Sequence, residues 1–334
     1  MTNRPLSVVT LSPSERGGGA EMIAWALFNA CRQHGHHMKM VVGDHRTNDP
    51  DVTALADEPL RSRWARWWLR IAMTSGAERA RNFGQPLRWL RRRLGHEDMD
   101  FPASRRLLEE SPQAVDLVHA HNLHGLGGGF FDLRALPVLG RQAPLMLTLH
   151  DSWLFTGHCA HSFDCDRWRT GCGKCPDIGI PEAIRRDASA ANWRRKQKIF
   201  QRCSLFVVTP SRWLMDRVEK SLMAPAIKEG RVIPNGVDLE VFQPGDPASA
   251  RKELGLEPED TIVLCLGNAL KSNIWKDFAG GFQAVRAAAR RLGKRIVLFA
   301  VGESGPQIRE TDIDLISIGP LTHASEVAAA MQAA

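Results

Sequence analysis

Short runs of apolar and β-branched residues, separated by glycine-rich or charged stretches, recur along this chain. Leu6 to Leu11 is the first, broken by Gly17-Gly18-Gly19 and followed by helix formers from Ala20 to Arg32. This pattern predicts a strand, a tight loop and a helix. Val41-Val42, VDLVHAH (115–121), APLMLTLH (143–150) and SLFVVT (204–209) predict further strands. Buried strands alternating with helices imply a parallel sheet covered on both faces. After Ile233 the stretch PNGVDLEVFQPGDP is rich in turn formers, with Asn235-Gly236 the strongest signal. It divides the chain into a domain over 1–233, a connection over 234–260 and a domain over 261–334. The second domain shows strands at TIVLCLG (261–267), RIVLFAVG (295–302) and Leu315 to Ile318, with helices at Phe278 to Leu292 and from Ala324 onward. Three strands are few for a doubly wound sheet, so this domain is expected to be incomplete.

The length of 334 residues fits two domains of ordinary size. With 43% hydrophobic side chains the chain is neither a disordered tail nor a small disulfide scaffold. No apolar run reaches the roughly 18 residues of a spanning helix, and Pro5 stands where a signal peptide would carry its apolar stretch, so a cytoplasmic location is expected. The net charge of +7 is concentrated: residues 61–106 hold twelve arginines and four acids. The rest of the chain is near neutral, which implies one basic surface rather than a uniformly basic nucleic-acid binder. Within that segment Trp64, Trp67, Trp68 and Ile71 recur at helical spacing with Arg63, Arg66 and Arg70 on the flanks, and PLRWLRRRLG (86–95) repeats the chemistry. Two readings follow. One is an amphipathic helix on an anionic inner membrane surface; the other is a helix that packs its indoles on the core.

Candidate chemistry sits at the predicted strand ends, where open α/β sheets place ligand-contacting groups. The glycine loop, SPSERGGGAE (12–21), lets backbone N–H groups approach a phosphate at a helix N-terminus, or is a turn without a ligand. It is not the dinucleotide fingerprint G-x-G-x-x-G. His119 and His121 share one face of their strand, with His121 the nearer to a cleft, and His150-Asp151 ends the next. Each histidine is either a ligand contact or a hydrogen-bonded core residue. Four of the seven cysteines, Cys159, Cys165, Cys172 and Cys175, fall in one short stretch. Their spacing fits a structural zinc site, with His158 or His161 as substitute ligands. Disulfides or merely packed thiols are the alternatives.

Taken together, GGGAE, HAHN (119–122), TLHDSW through GCGKCP (148–176), TPSRWL (209–214), IPNGVDLEVFQP (233–244) and Lys276 resemble the retaining GT-B glycosyltransferases of the family 4-like type that includes colanic-acid and capsular-polysaccharide transferases. The resemblance covers most of the chain. It implies two Rossmann-like domains, an acceptor side first and a nucleotide-sugar donor side second. Implied too is transfer from a nucleotide-diphosphate sugar to a saccharide or lipid-linked acceptor, with no catalytic metal. By position in the motifs, Gly18 and Gly19 would face the donor phosphates, His121 the transferring sugar, and His150 and Asp151 the acceptor side, with Lys276 against the diphosphate. Two departures stand out. Asn268 follows Gly267 where the family often has arginine, with Lys271 as a possible replacement, and the paired glutamates of the family's E-x7-E element are not found. Glu303 and Glu310 have the wrong spacing for that element. A catalytically defective fragment that only binds acceptor, and a zinc-ribbon nucleic-acid-binding protein, are the competing expectations.

Overall fold

The computed structural model describes residues 4–76, 78–109, 114–125 and 129–334. It divides into two compact units, Met1–Asn235 and Gly236–Ala334. In the first, β1 (Ser7–Ser14) leads through the glycine loop into α1 (Gly19–Gln33), followed by β2 (His37–Asp44) and the short β3 (Val52–Ala54). The basic segment then forms three helices, α2 (Arg63–Ser75), α3 (Glu78–Gly84) and α4 (Pro86–Arg93). Ser62 caps α2 by accepting from the Ala65 amide at 3.2 Å, and Gly76 ends it in the left-handed region. The chain continues through β4 (Leu117–Ala120), α5 (Leu136–Gln142), β5 (Leu145–Thr148), α6 (Ser189–Phe200), β6 (Leu205–Thr209), α7 (Arg212–Glu219) and β7 (Ile227–Val232).

Among the described residues these strands make one parallel sheet in the order β3-β2-β1-β4-β5-β6-β7. Its alternation explains why the strands read as continuous apolar runs. Val8, Met40 and Val42 face Ala24 and Phe28 of α1, while Val9, Leu11 and Val118 join the cluster that holds Leu139 of α5 and Phe200 of α6 on the other side. Both faces are therefore dry. The strand order reverses direction between β1 and β4, which makes the C-terminal ends of those two strands the crevice of the sheet.

The second unit contains α8 (Pro247–Glu253), β8 (Thr261–Leu266), α9 (Phe278–Leu292), β9 (Ile296–Val301), β10 (Ile308–Arg309), β11 (Ile313–Ile318) and α10 (Ala324–Ala333). Its described strands order as β10-β11-β9-β8, with β10 antiparallel to β11 and the rest parallel. Phe299 and Val297 pack toward Ala250, Ala330 and Ala333, while Leu298 and Ala300 pack toward Phe278, Phe282 and Val285 of α9. This is again a sheet covered on both faces. The helix α8 lies inside the stretch expected to be a connection, and its Ala250 is buried in this second core.

Three strands were not expected, β3, β7 and β10, and each lies at an edge of its sheet. The reason is burial. β3 and β10 span three and two residues, and β7, IKEGRV, exposes its four central residues, so none carries the apolar run that marks a central strand.

Candidate active site

The first wall of the crevice is the loop after β1. Gly17 has φ of +141°, and a Cβ on Gly19 would meet nothing within 4 Å, so the backbone there is open to close approach. Glu15, fully buried, braces the loop by accepting from the amides of Arg46 and Thr47, both at 2.6 Å, beyond the end of β2. Burial alone would raise its pKa, but these backbone donors outweigh it and hold the carboxyl below its usual value.

The second wall is a histidine cluster at the ends of β4 and β5. The amide of His121 donates to Leu11 O on β1 at 2.9 Å, so the residue just past β4 stays in register with the sheet. Its side chain is fully buried. Nδ1 lies 3.0 Å from His150 Nε2 with the rings stacked, while the buried Nε2 has no partner among the described residues. His119 sits behind it, 4.4 Å away ring to ring, with Nε2 2.8 Å from Thr148 Oγ1. Burial first, then the neighbouring imidazoles, push His121 down to about 2 and His119 to about 4. Burial also lowers His150. The three rings are therefore neutral at physiological pH. His121 is left with one ring nitrogen able to donate or accept a hydrogen bond according to its tautomer.

A few residues on, the electrostatics invert. His124, which the sequence reading passed over, places Nε2 2.8 Å from Asp151 Oδ2 and Nδ1 3.4 Å from Glu182 Oε1. Burial opposes its charge, but the two carboxylates outweigh burial and raise it to about 9. Asp151 is held below its ordinary value despite its own burial, chiefly by His124, and its Oδ1 accepts from the Trp153 amide at 2.9 Å. Both of its oxygens are thus committed. Asp151 orients a turn and an imidazolium, and the His150-Asp151-Ser152-Trp153 run of the sequence is the local signal for that turn.

These opposed shifts predict a stability optimum. Below pH 6.5 the unfolded chain takes up protons at His119 and His121 that the folded chain refuses, so stability falls with acidification. The contribution of His124 is complete below 6.5 and is lost as pH rises through about 9. Urea unfolding between pH 5 and 9 should therefore give a maximum near pH 6.5, and His124→Gln should flatten the alkaline limb. An alkaline limb unchanged in that variant would mean that the ion pair does not stabilise the fold.

The expectation of zinc at the cysteines finds no support in the structure. All four remain free thiols, and among the described residues no group of three or more His, Cys, Asp or Glu side chains is arranged to hold a metal ion. The physical reason is that other contacts shape this loop. Trp168 is buried, Trp193 Nε1 donates to its carbonyl at 2.9 Å, and the Cys175 amide donates to Asp187 at 2.8 Å. His158 approaches only one sulfur, Cys175 Sγ at 3.3 Å, and its other nitrogen lies 3.1 Å from Glu182 O. His161 stacks on Trp213. Burial pushes Cys159 up to about 11 and Cys172 to about 12.

Lys276 lies in the second unit, between β8 and α9, exposed and with its aliphatic stem over Gly267: a Cβ there would stand 3.2 Å from Lys276 Cε. Lys271 is engaged elsewhere, its amide donating to Glu303 Oε2 at 3.1 Å and its ammonium 4.0 Å from Oε1. Glu310 pairs with Arg286 at 2.8 Å. Glu303 and Glu310 thus both make ion pairs within this unit.

Comparison with known proteins agrees with this architecture. Over 98 residues the chain is 33% identical to the putative colanic acid biosynthesis glycosyl transferase WcaC of Escherichia coli K12, covering 28% of this chain and 24% of that protein. Over 81 residues it is 38% identical to the D-inositol 3-phosphate glycosyltransferase of Mycobacterium ulcerans, covering 24% and 16%. The matched segments thus span a quarter or less of these curated relatives. The crystal structure of WaaG, a glycosyltransferase involved in lipopolysaccharide biosynthesis, superposes with a TM-score of 0.50 at 12% identity, covering 96% of this chain and 72% of that one, which shows a shared GT-B fold. The model for Glycosyltransferase Family 4 matches residues 17–241, well over half of the sequence and including the glycine loop, both histidine strand ends and the cysteine loop, and the chain belongs to that family.

Proposed function

We propose that this chain transfers a sugar from a nucleotide-diphosphate sugar to a saccharide or lipid-linked acceptor in the synthesis of a cell-surface polysaccharide, with retention of anomeric configuration. The observation that carries the reading is the neutral, buried His121 with an unpartnered Nε2 at the crevice of the sheet, beside an open glycine loop. A neutral imidazole can hydrogen-bond a sugar hydroxyl without adding charge next to a developing oxocarbenium centre. As the anomeric C–O bond breaks, negative charge builds on the departing diphosphate. In the first unit Gly18 and Gly19 offer backbone N–H groups to a phosphate, and in the second unit Lys276 is the cation proposed for the donor. His150 orients His121 from the acceptor side, and Asp151 acts through His124 and the Trp153 turn as a positioning residue. Lys276→Ala should weaken binding of UDP, GDP or ADP, whichever the wild type prefers, by several-fold or more in calorimetry. Unchanged affinity would remove Lys276 from the donor site.

The same reading places the protein on an anionic membrane surface. No described helix is long and apolar enough to cross a membrane. Trp68 is half-buried and lies against the exposed Phe83, ring centroids 5.4 Å apart, while Trp64, Trp67, Leu87 and Trp89 stay exposed among the arginines of α2 and α4. Such a face suits headgroups. Liposome flotation should therefore show binding to anionic vesicles that weakens with salt and is lost in a Trp64→Ala/Trp67→Ala variant. Equal flotation with neutral and anionic liposomes would reject this surface.

A further inference from the structure

Away from the crevice, a groove of about 420 Å3 is lined by Arg105, Arg134, Arg141, Arg195, Lys198 and Arg202. Its apolar floor is Pro137, Val138 and Ile199, and among the described residues no carboxylate lines it. Its walls are α5 and α6, which run back from the C-terminal edge of the sheet to the starts of β5 and β6. Arg141, Lys198 and Arg202 stand at or just past their C-terminal ends, so this end of the groove lies at the edge of the sheet opposite His121 and the glycine loop.

The six cations are poorly neutralised. Arg134 binds Asp132 at 2.8 Å and Arg105 approaches the same carboxylate at 3.8 Å, so one negative charge serves two guanidinium groups. Arg195 donates to a neutral carbonyl, Glu97 O, at 3.2 Å, and the one nearby carboxylate that acts on it most, Glu97, is shared with Lys196. Among the described residues, no ion pair or side-chain hydrogen bond is made by Arg141, Lys198 or Arg202. Holding like charges around a low-dielectric floor is unfavourable without a counterion, and such a groove concentrates anions. Guanidinium groups match phosphate oxygens in bidentate geometry, and a lysine adds a point charge. The volume accommodates more than a single phosphate.

We propose that this groove is a binding site for a phosphate-bearing anion of the size of a diphosphate, separate from the sugar-transfer site. Two sources share that chemistry, a lipid headgroup and a soluble oligophosphate. The probe is inorganic pyrophosphate, titrated calorimetrically into the full chain at constant ionic strength. Lys198→Glu/Arg202→Glu, both exposed positions, should raise the dissociation constant tenfold or more while leaving the melting temperature within a few degrees. Lys276→Ala serves as the control for binding at the proposed donor site and should leave the groove's share of binding intact.

Flotation with vesicles of phosphatidylcholine containing phosphatidate then separates the sources. Loss of flotation in the charge-reversed variant, with pyrophosphate competing in the wild type, assigns a lipid headgroup. Flotation unaffected by the variant assigns a soluble anion. The proposal is overturned if the charge-reversed variant binds pyrophosphate within twofold of wild type, if only Lys276→Ala abolishes binding, or if the wild type shows no binding up to about 10 mM.

Discussion

Lys196→Met should lower the free energy of unfolding by about 3–5 kcal/mol, the cost of leaving one member of a buried ion pair without its partner. Lys196 is fully buried. Its ammonium donates to Glu97 Oε1 at 2.7 Å, Trp153 O at 2.6 Å and Thr156 O at 3.1 Å, so all three N–H groups are used, and it lies 3.8 Å from the centre of the Trp153 ring. Burial pushes the Glu97 carboxyl up and the Lys196 ammonium down, and each is opposed by the charge of the other. Without the lysine, Glu97 loses that opposition, and its Oε2 is already a buried atom with no partner. The folded variant should therefore keep a proton on Glu97 that the unfolded chain releases above about pH 4.5. The deficit relative to wild type should be smallest near that pH and grow as pH rises.

A Glu97→Gln/Lys196→Met double variant removes both charges and should recover part of the loss, because the penalty of the single change is dominated by the orphaned carboxylate. Urea unfolding of the wild type and these two variants across pH 4.5 to 8 checks this. A single-variant cost below about 1 kcal/mol, or one independent of pH, would mean that water or relaxation supplies what the lysine supplies now.

His121→Ala should reduce turnover by about 10²–10³, the range for losing one preorganised hydrogen-bonding group at a reacting centre. Nucleoside diphosphate affinity should change by no more than a few-fold, since the ring lies beside the sugar in the proposed site rather than on the phosphates. The measurement is release of nucleoside diphosphate from a panel of UDP-, GDP- and ADP-sugars, with affinity determined separately. Because His121 is fully buried, truncation also opens a cavity, and His121→Gln provides the control. An amide keeps a polar group in the same space and should restore folding stability more than it restores turnover. Turnover within threefold of wild type in the alanine variant would remove His121 from the reacting centre. A parallel loss of stability and turnover in both variants would make it a core residue only.

Much of the architecture was readable from local pattern. The central strands of both units, the loop between β1 and α1 and the histidines at the ends of β4 and β5 follow from apolar runs and glycines, which report backbone geometry over a few residues. The motif resemblance reached the family for a similar reason, since its signatures lie in contiguous segments at strand ends. The outer strands β3, β7 and β10 escaped because they bury too little to need an apolar run. Helix α8 escaped because turn formers dominate the stretch around it.

Side-chain partnerships across long sequence separations had no such signal. His124 meets Asp151 only because β4 and β5 lie side by side, and Lys196 reaches Glu97, 99 residues away, only once α6 lies over the sheet. The cysteines show the converse: their spacing in sequence suggested a metal site, yet among the described residues no group is arranged to hold a metal ion, and the contact that the loop makes with α6 through Trp168 and Trp193 has no signal in that spacing. The six-cation groove draws on helical segments far apart in the chain, so no stretch of sequence displays it. Periodicity is set by the geometry of near neighbours, and the sequence alone carries it. Protonation states and charge clusters depend on which distant elements exclude water from the same place, and only the folded arrangement of strands and helices determines that.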